Sequence, residues 1–580
     1  MEKDSLYKFL YRFFDLIVLT YFVFSFGYSV KTDYQIPKLV GLLVIVLGLL
    51  AFNTAKFFYY KSRGRKKVAL AQIILLGVLL LISGVISIVH YQQDFHFVLR
   101  KIRPILEAGI VLYFFIRLMV FVRYIYQVYY NPAIVFVGSF FTIILLGSFL
   151  LMLPNATTNG ITFTDALFTA TSAVCVTGLV VLDTANDFTQ IGQTIILVLF
   201  QLGGLGILTF TSFFSYFFRG SSSFKEGLNI KDFIAQENIK DVLKIALNVV
   251  VFTLFVEMIG AGLIYSTIQH LDEIEDKIFF SVFHSISAFC NAGFSTMSSG
   301  LSEEFLKFNY TMQWVVMVLI VLGGLGFNII SNYYTYLKTL ALEFFDKTRI
   351  HKQIHITTLN TRIVLYTTLA LIVGGFLFLA ISEHQNTLLL HDTWFGKVTT
   401  SFFNAITPRT AGFNTMDFSQ YTVPSLLFII FLMWIGASPG STGGGIKTST
   451  FALATLNIIA TARGKSRIQL QGRRISSEST ARAFAILCIS LIVIGFAILA
   501  LLIFEPKGTD LLSVVFECFS AYSTVGLSLN LTPTLTEPSK VVLIFTMFIG
   551  RIGLLNLLFG MLRELNHQFY EYPKENILIN

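Results

Sequence analysis

Long apolar runs follow one another along most of the chain, and only brief polar stretches separate them. An apolar run of about 20 residues is long enough to cross a bilayer as a helix. Four such runs precede residue 131, at roughly 11–30, 38–60, 68–90 and 105–127. The pattern predicts an all-α integral membrane protein with about four extra transmembrane helices in an N-terminal extension, residues 1–130.

Beyond residue 130 a three-part pattern of apolar runs occurs four times. A long run is followed by a run of about twelve residues, and then by a second long run. The first long runs lie near 133–153, 245–268, 363–382 and 482–504, the short ones near 164–175, 279–290, 396–407 and 511–522, and the second long ones near 192–217, 312–337, 424–460 and 538–561. Twelve residues cannot span a bilayer, but they suit a re-entrant helix around a pathway. We predict pore repeats at 131–219, 220–340, 341–464 and 465–580.

A glycine follows each short run at a regular interval. Gly178, Gly293, Gly412 and Gly526 are 115, 119 and 114 residues apart, and a phenylalanine stands ten residues before each of them. Internal repeats of this kind must be recognised before a fold is assigned. Four unrelated helix-terminating glycines would not explain the spacing, so we predict four helix–pore helix–helix repeats in a pseudo-four-fold arrangement around one pore.

The residues at these glycines suit a potassium filter made from main-chain carbonyl groups. Such a filter replaces the hydration shell of the ion with carbonyl oxygens, and a Thr-Val-Gly run is a typical part of it. Glycine allows the backbone conformation that turns these carbonyls towards an ion. The predicted filter residues are Val176, Thr177, Gly178, Asn291, Ala292, Gly293, Thr410, Ala411, Gly412, Thr524, Val525 and Gly526.

The second long run of the third repeat contains a stretch that cannot form a stable helix. Eight consecutive Gly, Pro, Ser and Thr residues extend from Ser438 to Gly445, and these residue types disfavour helix. In mid-membrane such a stretch predicts a flexible loop that blocks the path. The predicted gate residues are Gly436, Ser438, Pro439, Gly440, Gly443, Gly444, Gly445 and Lys447. For Lys447, a place at the inner membrane interface is an equal alternative.

Arg551 stands in the last long apolar run. A charge within a membrane segment usually faces a cavity, a partner or an ion path. We predict that Arg551 is an electrostatic barrier in the pore. The alternative is that its side chain extends to the inner interface, as long basic side chains do near helix ends.

Composition supports a membrane location and indicates an orientation. The chain is 55% hydrophobic and 13% charged, with a net charge of +9, whereas soluble domains have about 25% charged residues. With the N-terminus inside, predicted cytoplasmic stretches carry 28 Lys and Arg residues against 11 on the other side. This bias predicts a multi-pass protein of the cell membrane with both termini in the cytoplasm. No basic, aromatic-interleaved motif indicates nucleic-acid binding.

Two other classes of function remain as alternatives. A membrane enzyme would require clustered carboxylates, a catalytic triad or metal ligands, and the sequence contains no such motif; we predict neither catalysis nor a cofactor. A sodium- or proton-coupled carrier of a cation or small solute would be expected to have inverted repeats and ionisable groups in unwound helices. The four repeats here have the same direction, which favours a channel-like pore.

Residues 130–565 resemble the Trk/Ktr/HKT superfamily of potassium transporters, specifically the bacterial Trk/Ktr membrane subunit. The resemblance depends on the four glycine-terminated stretches, the Gly-Ser-Thr-Gly-Gly-Gly interruption and the late Arg551. It implies potassium as the substrate, a homodimer in the lipid bilayer, and a separate cytosolic RCK-type nucleotide-binding regulator. Sodium-selective relatives often replace the first filter glycine with serine, so Gly178 favours potassium. Four segments before the first repeat exceed the usual core of the family.

Overall fold

The fold is described from a computed structural model, which describes residues 35–59, 63–89, 132–206, 239–345, 358–465, 467–470 and 472–553 together with a few single residues before residue 114. Regular structure in these ranges is helical apart from one short antiparallel pair of strands, β1 (Gln469–Leu470) and β2 (Arg473–Arg474).

The helices follow the predicted three-part pattern closely. The helices before the first repeat and in the first two repeats are α1 (Gln35–Tyr59), α2 (Arg63–Val89), α3 (Pro132–Leu151), α4 (Phe163–Val174), α5 (Gln190–Leu205), α6 (Ile239–Ile268), α7 (Lys277–Cys290), α8 (Tyr310–Leu325) and α9 (Phe327–Phe345). Those of the last two repeats are α10 (Leu359–Ser382), α11 (Trp394–Ile406), α12 (Val423–Trp434), α13 (Thr448–Ala462), α14 (Ser477–Phe504), α15 (Leu511–Ser523) and α16 (Glu537–Ile552). Short helical turns lie in some of the connecting loops.

Five of the described helices are long and apolar enough to cross a membrane, and the bent pair α8 and α9 could form a sixth span. Two of these helices, α1 and α2, lie in the N-terminal extension and pack together through Leu42, Leu49 and Leu76. They match two of the four predicted segments there. The predictions for 11–30 and 105–127 lie outside the described residues, apart from single positions.

Each short helix begins at a residue whose side chain caps it. The cap residues are Thr162, Asp276, Thr393 and Asp510, and each accepts a hydrogen bond from a backbone N–H three residues later. Thr and Asp stabilise helix N-termini in this way. The caps fix where the helices start, and lengths of 12 to 14 residues bring all four to their ends just before the predicted filter residues.

The second long run of each repeat is not one continuous helix. In three repeats the helix ends at a glycine with a positive φ: Gly206 (71°), Gly326 (80°) and Gly553 (81°). After Gly326 the chain turns by 104° into the next helix. In the third repeat residues 435–447 separate α12 from α13. The left-handed backbone at glycine ends a helix. Residues 207–217 and 554–561 of the predicted runs lie outside the described residues.

The buried core connects neighbouring repeats. One apolar cluster joins residues of the first and fourth repeats, among them Phe168, Phe200, Leu543 and Met547, and a second cluster joins the second and third repeats. Phe168, Phe283 and Phe516, which stand ten residues before their glycines, are fully buried, whereas Phe402 is only partly buried and stacks on Phe376. The short helices therefore contribute large side chains to the buried core.

Candidate functional site

The structure brings the four predicted filter stretches together; residues 176–178, 291–293, 410–412 and 524–526 are called the glycine segments below. A Cβ atom added to Gly178 would lie 3.2 Å from the Cα of Gly293, and one on Gly293 would lie 3.1 Å from that of Gly412. A Cβ on Gly412 would lie 3.2 Å from the Cα of Gly526, and one on Gly526 would lie 3.0 Å from the Cα of Gly178. The four glycines therefore form a closed ring in chain order.

The backbone has the same unusual conformation in all four segments. The first and third residue of each segment have positive φ, and only the third is a glycine. The values are 58° and 90° at Val176 and Gly178, 59° and 70° at Asn291 and Gly293, 69° and 76° at Thr410 and Gly412, and 51° and 93° at Thr524 and Gly526. Non-glycine residues adopt this conformation rarely, and such strain is concentrated at functional sites.

The N–H groups of the glycine segments bond back to the short helices. The N–H of Thr177 donates to the carbonyl of Ser172 (2.7 Å), that of Ala292 to Ser287 (2.8 Å), and that of Val525 to Ser520 (2.9 Å). The donors of the middle residues are thus directed away from the ring. Because the N–H groups of these middle residues already have partners in the short helices, their carbonyl groups remain as the polar main-chain groups at this position.

A serine six residues before the glycine supports three of the segments, and the sequence analysis missed it. The hydroxyl groups of Ser172 and Ser520 accept from the N–H of Gly178 and Gly526, both at 3.1 Å. The hydroxyl of Ser287 donates to the carbonyl of Phe294 at 2.8 Å. The signal was present, since Ser-Ala stands at this place in three repeats. In the third repeat, Thr407 donates to the carbonyl of Phe413 at 2.6 Å instead.

A second set of side chains braces the chain just beyond the glycines. His284 Nε2 lies 2.9 Å from the hydroxyl of Ser295, and the hydroxyl of Ser528 donates to Glu517. In both pairs, one partner stands nine residues before the segment glycine and the other two residues after it. Glu517 also accepts from the hydroxyl of Thr532 at 2.8 Å. These braces were not predicted, because their residue types differ between repeats.

Glycines in the second long helices allow those helices to touch the ends of the short helices. A Cβ atom on Gly203, Gly323 or Gly550 would overlap a main-chain carbonyl oxygen four residues before a segment glycine; the carbonyls are those of Val174, Phe289 and Tyr522. Backbones can approach this closely only where a side chain is absent. In these three repeats, the glycines therefore allow the second long helix to pack directly against the end of the short helix.

Residues 435–447, called the interrupted segment below, contain the predicted gate residues. The segment is not helical, as the sequence predicts, and it lies directly against the third and fourth glycine segments. A Cβ on Gly443 would be 3.1 Å from the Cβ of Thr410, and one on Gly444 would be 3.1 Å from the Cβ of Thr524. A Cβ on Gly445 would lie 3.1 Å from the Cα of Ser523. The interrupted segment thus packs against the first residues of the third and fourth glycine segments.

Backbone hydrogen bonds attach the first half of the interrupted segment to the end of α8. The N–H of Ser438 donates to the carbonyl of Gly324 (3.0 Å), and that of Thr442 to the carbonyl of Gly323 (3.4 Å). The hydroxyl of Thr442 donates to Phe289, 3.3 Å away. Of the remaining predicted gate residues, Gly436 is buried, Pro439 is partly buried and Gly440 is exposed.

Two basic side chains bind the carbonyls of the interrupted segment and its surroundings. Lys447 Nζ donates to the carbonyl of Gly443 at 2.6 Å. The guanidinium of Arg551 donates to the carbonyl of Thr442, and also to that of Gly203 at 2.6 Å. Both side chains are only partly exposed and lie among main-chain carbonyl groups. Arg551 connects the interrupted segment to the first repeat.

A buried glutamate in α6 lies next to the second glycine segment and was overlooked in the sequence. Glu257 Oε2 accepts from Gln201 Nε2 at 3.0 Å, and the thiol of Cys290 donates to Gln201 Oε1 at 3.2 Å. The three residues come from α6, α5 and α7 and therefore join the first two repeats. The signal was a single carboxyl group in an otherwise apolar run, which is expensive unless it has partners.

Fold and site together define an all-helical, multi-pass membrane protein in which four similar glycine segments meet in one place. The model of the TrkH family, described as cation transport proteins, matches residues 133–571. This match covers well over half of the chain, and the chain therefore belongs to the TrkH family of cation transport proteins.

Individual relatives agree with this assignment. The chain is 35% identical to the potassium/sodium uptake protein NtpJ of Enterococcus hirae over 457 residues, which are 77% of this chain and 97% of that protein. It is 36% identical to the Ktr system potassium uptake protein B of Bacillus subtilis over 430 residues, 74% of this chain and 92% of the relative. The crystal structure of the potassium transporter TrkH from Vibrio parahaemolyticus has a similar fold, with a TM-score of 0.59, 17% identity, and coverage of 87% of this chain and 99% of that one.

Proposed function

We propose that this protein takes up potassium across the cell membrane through a gated pore whose selectivity filter consists of the carbonyl groups of the four glycine segments. The observation that carries the proposal is the closed ring of Gly178, Gly293, Gly412 and Gly526. The names of the relatives support the choice of ion, since NtpJ and the Ktr proteins are named for potassium uptake.

Carbonyl groups suit this task because an ion must exchange its hydration shell for oxygens without being held too tightly. The segments carry only neutral side chains, so full negative charges would not trap the ion there. The N–H groups of the middle residues Thr177, Ala292 and Val525 donate back into the short helices. Potassium is then the substrate of the protein, and transport needs no cofactor.

The interrupted segment is the gate in this proposal. It packs against the third and fourth glycine segments, and its contacts with Arg551 and with the end of α8 hold it in place. Glycines at 443, 444 and 445 fit against the ring because they have no side chains. Opening would require these hydrogen bonds to break together. Arg551, which carries its charge beside the path, is the barrier residue of the closed state.

The larger assembly follows from the resemblance to the family. We propose four repeats in pseudo-four-fold order after about four N-terminal helices, both termini in the cytoplasm, a homodimer, and a cytosolic RCK-type nucleotide-binding regulator. One relative is named as protein B of a Ktr system. That name supports the proposal of a membrane subunit that works with other components.

A sodium- or proton-coupled carrier is the second candidate. Two observations favour keeping it: the name of NtpJ includes sodium, and Glu257 places a carboxyl group within the membrane beside the second glycine segment. Coupling would make potassium uptake depend on external sodium or on the proton gradient. A pore would let potassium follow its own electrochemical gradient.

Uptake by a bacterium that lacks its own potassium uptake systems tests both candidates. Expression of this chain should restore growth at low potassium and produce uptake of potassium and rubidium in preference to sodium. Omitting sodium and collapsing the proton gradient at a fixed membrane potential separates the pore from the carrier. No gain of potassium uptake, with the protein present in the membrane, would refute both.

Replacing Gly178 by Ser tests the ring directly. Its φ of 90° disfavours any side chain, and the new Cβ would lie 2.5 Å from the carbonyl oxygen of Ala292. We expect the discrimination between potassium and sodium to fall at least tenfold, equivalent to roughly 1.4 kcal/mol, in competitive uptake assays. Gly160→Ser is the matched control, because Gly160 has a φ of 80° and open space around it. Equal selectivity in the two variants would contradict the filter assignment.

A further inference from the structure

A buried arginine without an acidic partner lies beside the third glycine segment. Arg409 immediately precedes Thr410, and 8% of its surface is exposed. Its Nε has no hydrogen-bond partner. No carboxylate in the described part of the chain forms an ion pair with it. An arginine remains charged in proteins, and a buried charge without compensation is strongly unfavourable.

Arg409 faces a small cavity that contains a second unused donor. The cavity is lined by Arg409 and Thr368, and otherwise by apolar residues and glycine: Ile320, Val321, Gly324, Leu325, Ile406 and Ala437. The hydroxyl of Thr368, in the middle of α10, is buried and also has no partner. The two polar side chains of the lining are therefore both able to donate, and the lining contains no carboxylate.

We propose that this cavity binds one small inorganic anion of the halide class, held by the guanidinium of Arg409 and the hydroxyl of Thr368. The negative charge of such an anion balances the positive charge of the guanidinium. A spherical anion can also accept hydrogen bonds from two donors that approach from different directions. Nothing in this assignment depends on which cation passes the glycine segments.

The size of the cavity decides between possible anions. Its volume is about 20 Å³, and one water molecule needs roughly 10–15 Å³. This space fits a monoatomic anion but is too small for a phosphate group or a lipid headgroup. A water molecule would also fit and could accept a hydrogen bond, but it would leave the positive charge uncompensated.

The position of the cavity gives the anion a structural effect. Ile406 is the last residue of the third short helix and Arg409 leads into its glycine segment, whereas Ala437 belongs to the interrupted segment. Gly324 lies at the end of α8, where the interrupted segment is attached. An anion there would lie between the residue that precedes the third glycine segment, the predicted gate and α8, and it would stabilise their junction.

Diffraction from crystals of the full chain soaked in bromide tests the site without any substitution. We expect an anomalous peak inside the cavity, within hydrogen-bond distance of the guanidinium of Arg409. A cavity that contains only water, or no density, under the same conditions would overturn the proposal.

Thermal unfolding in detergent provides a second test, since a ligand that binds only the folded state raises the Tm. We expect a higher Tm in chloride than in gluconate at equal ionic strength. The difference should disappear in Arg409→Gln and decrease in Thr368→Val. It should persist in Thr367→Val, because the hydroxyl of Thr367 already donates to the carbonyl of Ile363 at 2.8 Å.

The two threonine variants decide the matter even if Arg409→Gln does not fold. An equal chloride effect in Thr368→Val and Thr367→Val, or no chloride effect in the unaltered protein, would refute the site. Both measurements are independent of transport, so a failure here is distinguishable from a failure of the proposed potassium uptake.

Discussion

Four non-glycine residues adopt a left-handed backbone conformation at equivalent places, two residues before each segment glycine. They are Val176, Asn291, Thr410 and Thr524, and all are fully buried. Such a conformation costs about 1–2 kcal/mol per residue. The cost is largest for residues with β-branched side chains, such as Val and Thr. It persists because the N–H of the next residue is bonded to the short helix and the side chain is enclosed. The strain is therefore the result of packing.

His391 is the clearest titratable residue outside the membrane segments. Its Nδ1 lies 2.9 Å from the hydroxyl of Tyr310, and its Nε2 lies 3.1 Å from that of Thr400. Burial, followed by the charges of Lys307 and Lys397, lowers the pKa of His391 from 6.5 to about 4. The folded protein therefore keeps this imidazole neutral at pH values where the unfolded chain protonates it.

Stability should consequently decrease as the pH falls from about 6.5 towards 4, since the unfolded state then binds a proton that the folded state does not. We expect the Tm of the purified protein to fall less steeply across this range in His391→Gln, by a few degrees at pH 4.5. His384→Gln, at an exposed position nearby, should behave like the unaltered protein. Parallel curves for all three proteins would show that His391 makes no contribution.

Among the elements, the interrupted segment has the most specific contacts. It lacks regular secondary structure, yet carbonyl groups of the segment accept hydrogen bonds from Lys447 and Arg551, and its N–H groups donate to α8. Hydrogen bonds to charged groups contribute about 1.5–3 kcal/mol each. A loop held by so few strong bonds can have one closed position and still open when these bonds are lost.

Arg551→Gln tests this interpretation of the gate. The substitution removes the charged donor that connects Thr442 to Gly203, and we expect potassium uptake to be at least several-fold faster at equal expression. Arg551→Lys keeps the charge but cannot bind two carbonyls with a planar fork. If potassium uptake by Arg551→Lys is as fast as by Arg551→Gln, the simultaneous binding of two carbonyls is the important feature. If uptake by Arg551→Lys equals that of the unaltered protein, the positive charge is the important feature.

Arg463→Gln removes a charge at an exposed site beyond α13, and it should leave uptake unchanged. Potassium uptake by Arg551→Gln at or below the level of this control would contradict both proposed roles of Arg551, which are to hold the interrupted segment closed and to act as an electrostatic barrier.

At the scale of the whole molecule, the first and last repeats are joined directly. Lys540 in α16 lies 2.6 Å from Asp165 in α4, and both side chains are 12% exposed. Lys540 also lies 3.0 Å from the more exposed Glu537. The apolar cluster around Phe168 and Leu543 spans the same junction. The ring of glycine segments thus depends on contacts between residues at opposite ends of the repeated region.

A double-mutant cycle measures this junction. For Asp165→Asn and Lys540→Met we expect a coupling energy of about 1–3 kcal/mol in unfolding experiments, because the pair is largely shielded from solvent. Lys277 and Asp272 form the control pair: their charged atoms are 3.8 Å apart, and Asp272 is fully exposed, so little coupling is expected. Equal coupling in the two cycles would show that the junction does not depend on the ion pair.

The sequence alone determined the elements and their order. The length of an apolar run and the glycine after it are local properties, and they predicted the short helices to within about two residues at each end. The spacing of the glycines predicted that four segments would be equivalent, and the composition of residues 438–445 excluded a helix there.

Tertiary structure alone decided which residues meet. Arg551 binds carbonyls 109 and 348 residues away in the chain, and Glu257 pairs with Gln201 from another helix. Arg409 has a polar neighbour, Thr368, whose hydroxyl looks unremarkable in the sequence. Such contacts depend on how helices are stacked, and the hydrophobic pattern of one helix does not specify which polar group its neighbour will present. The local sequence therefore determined where helices begin and end. The tertiary structure determined which groups the buried charged side chains contact.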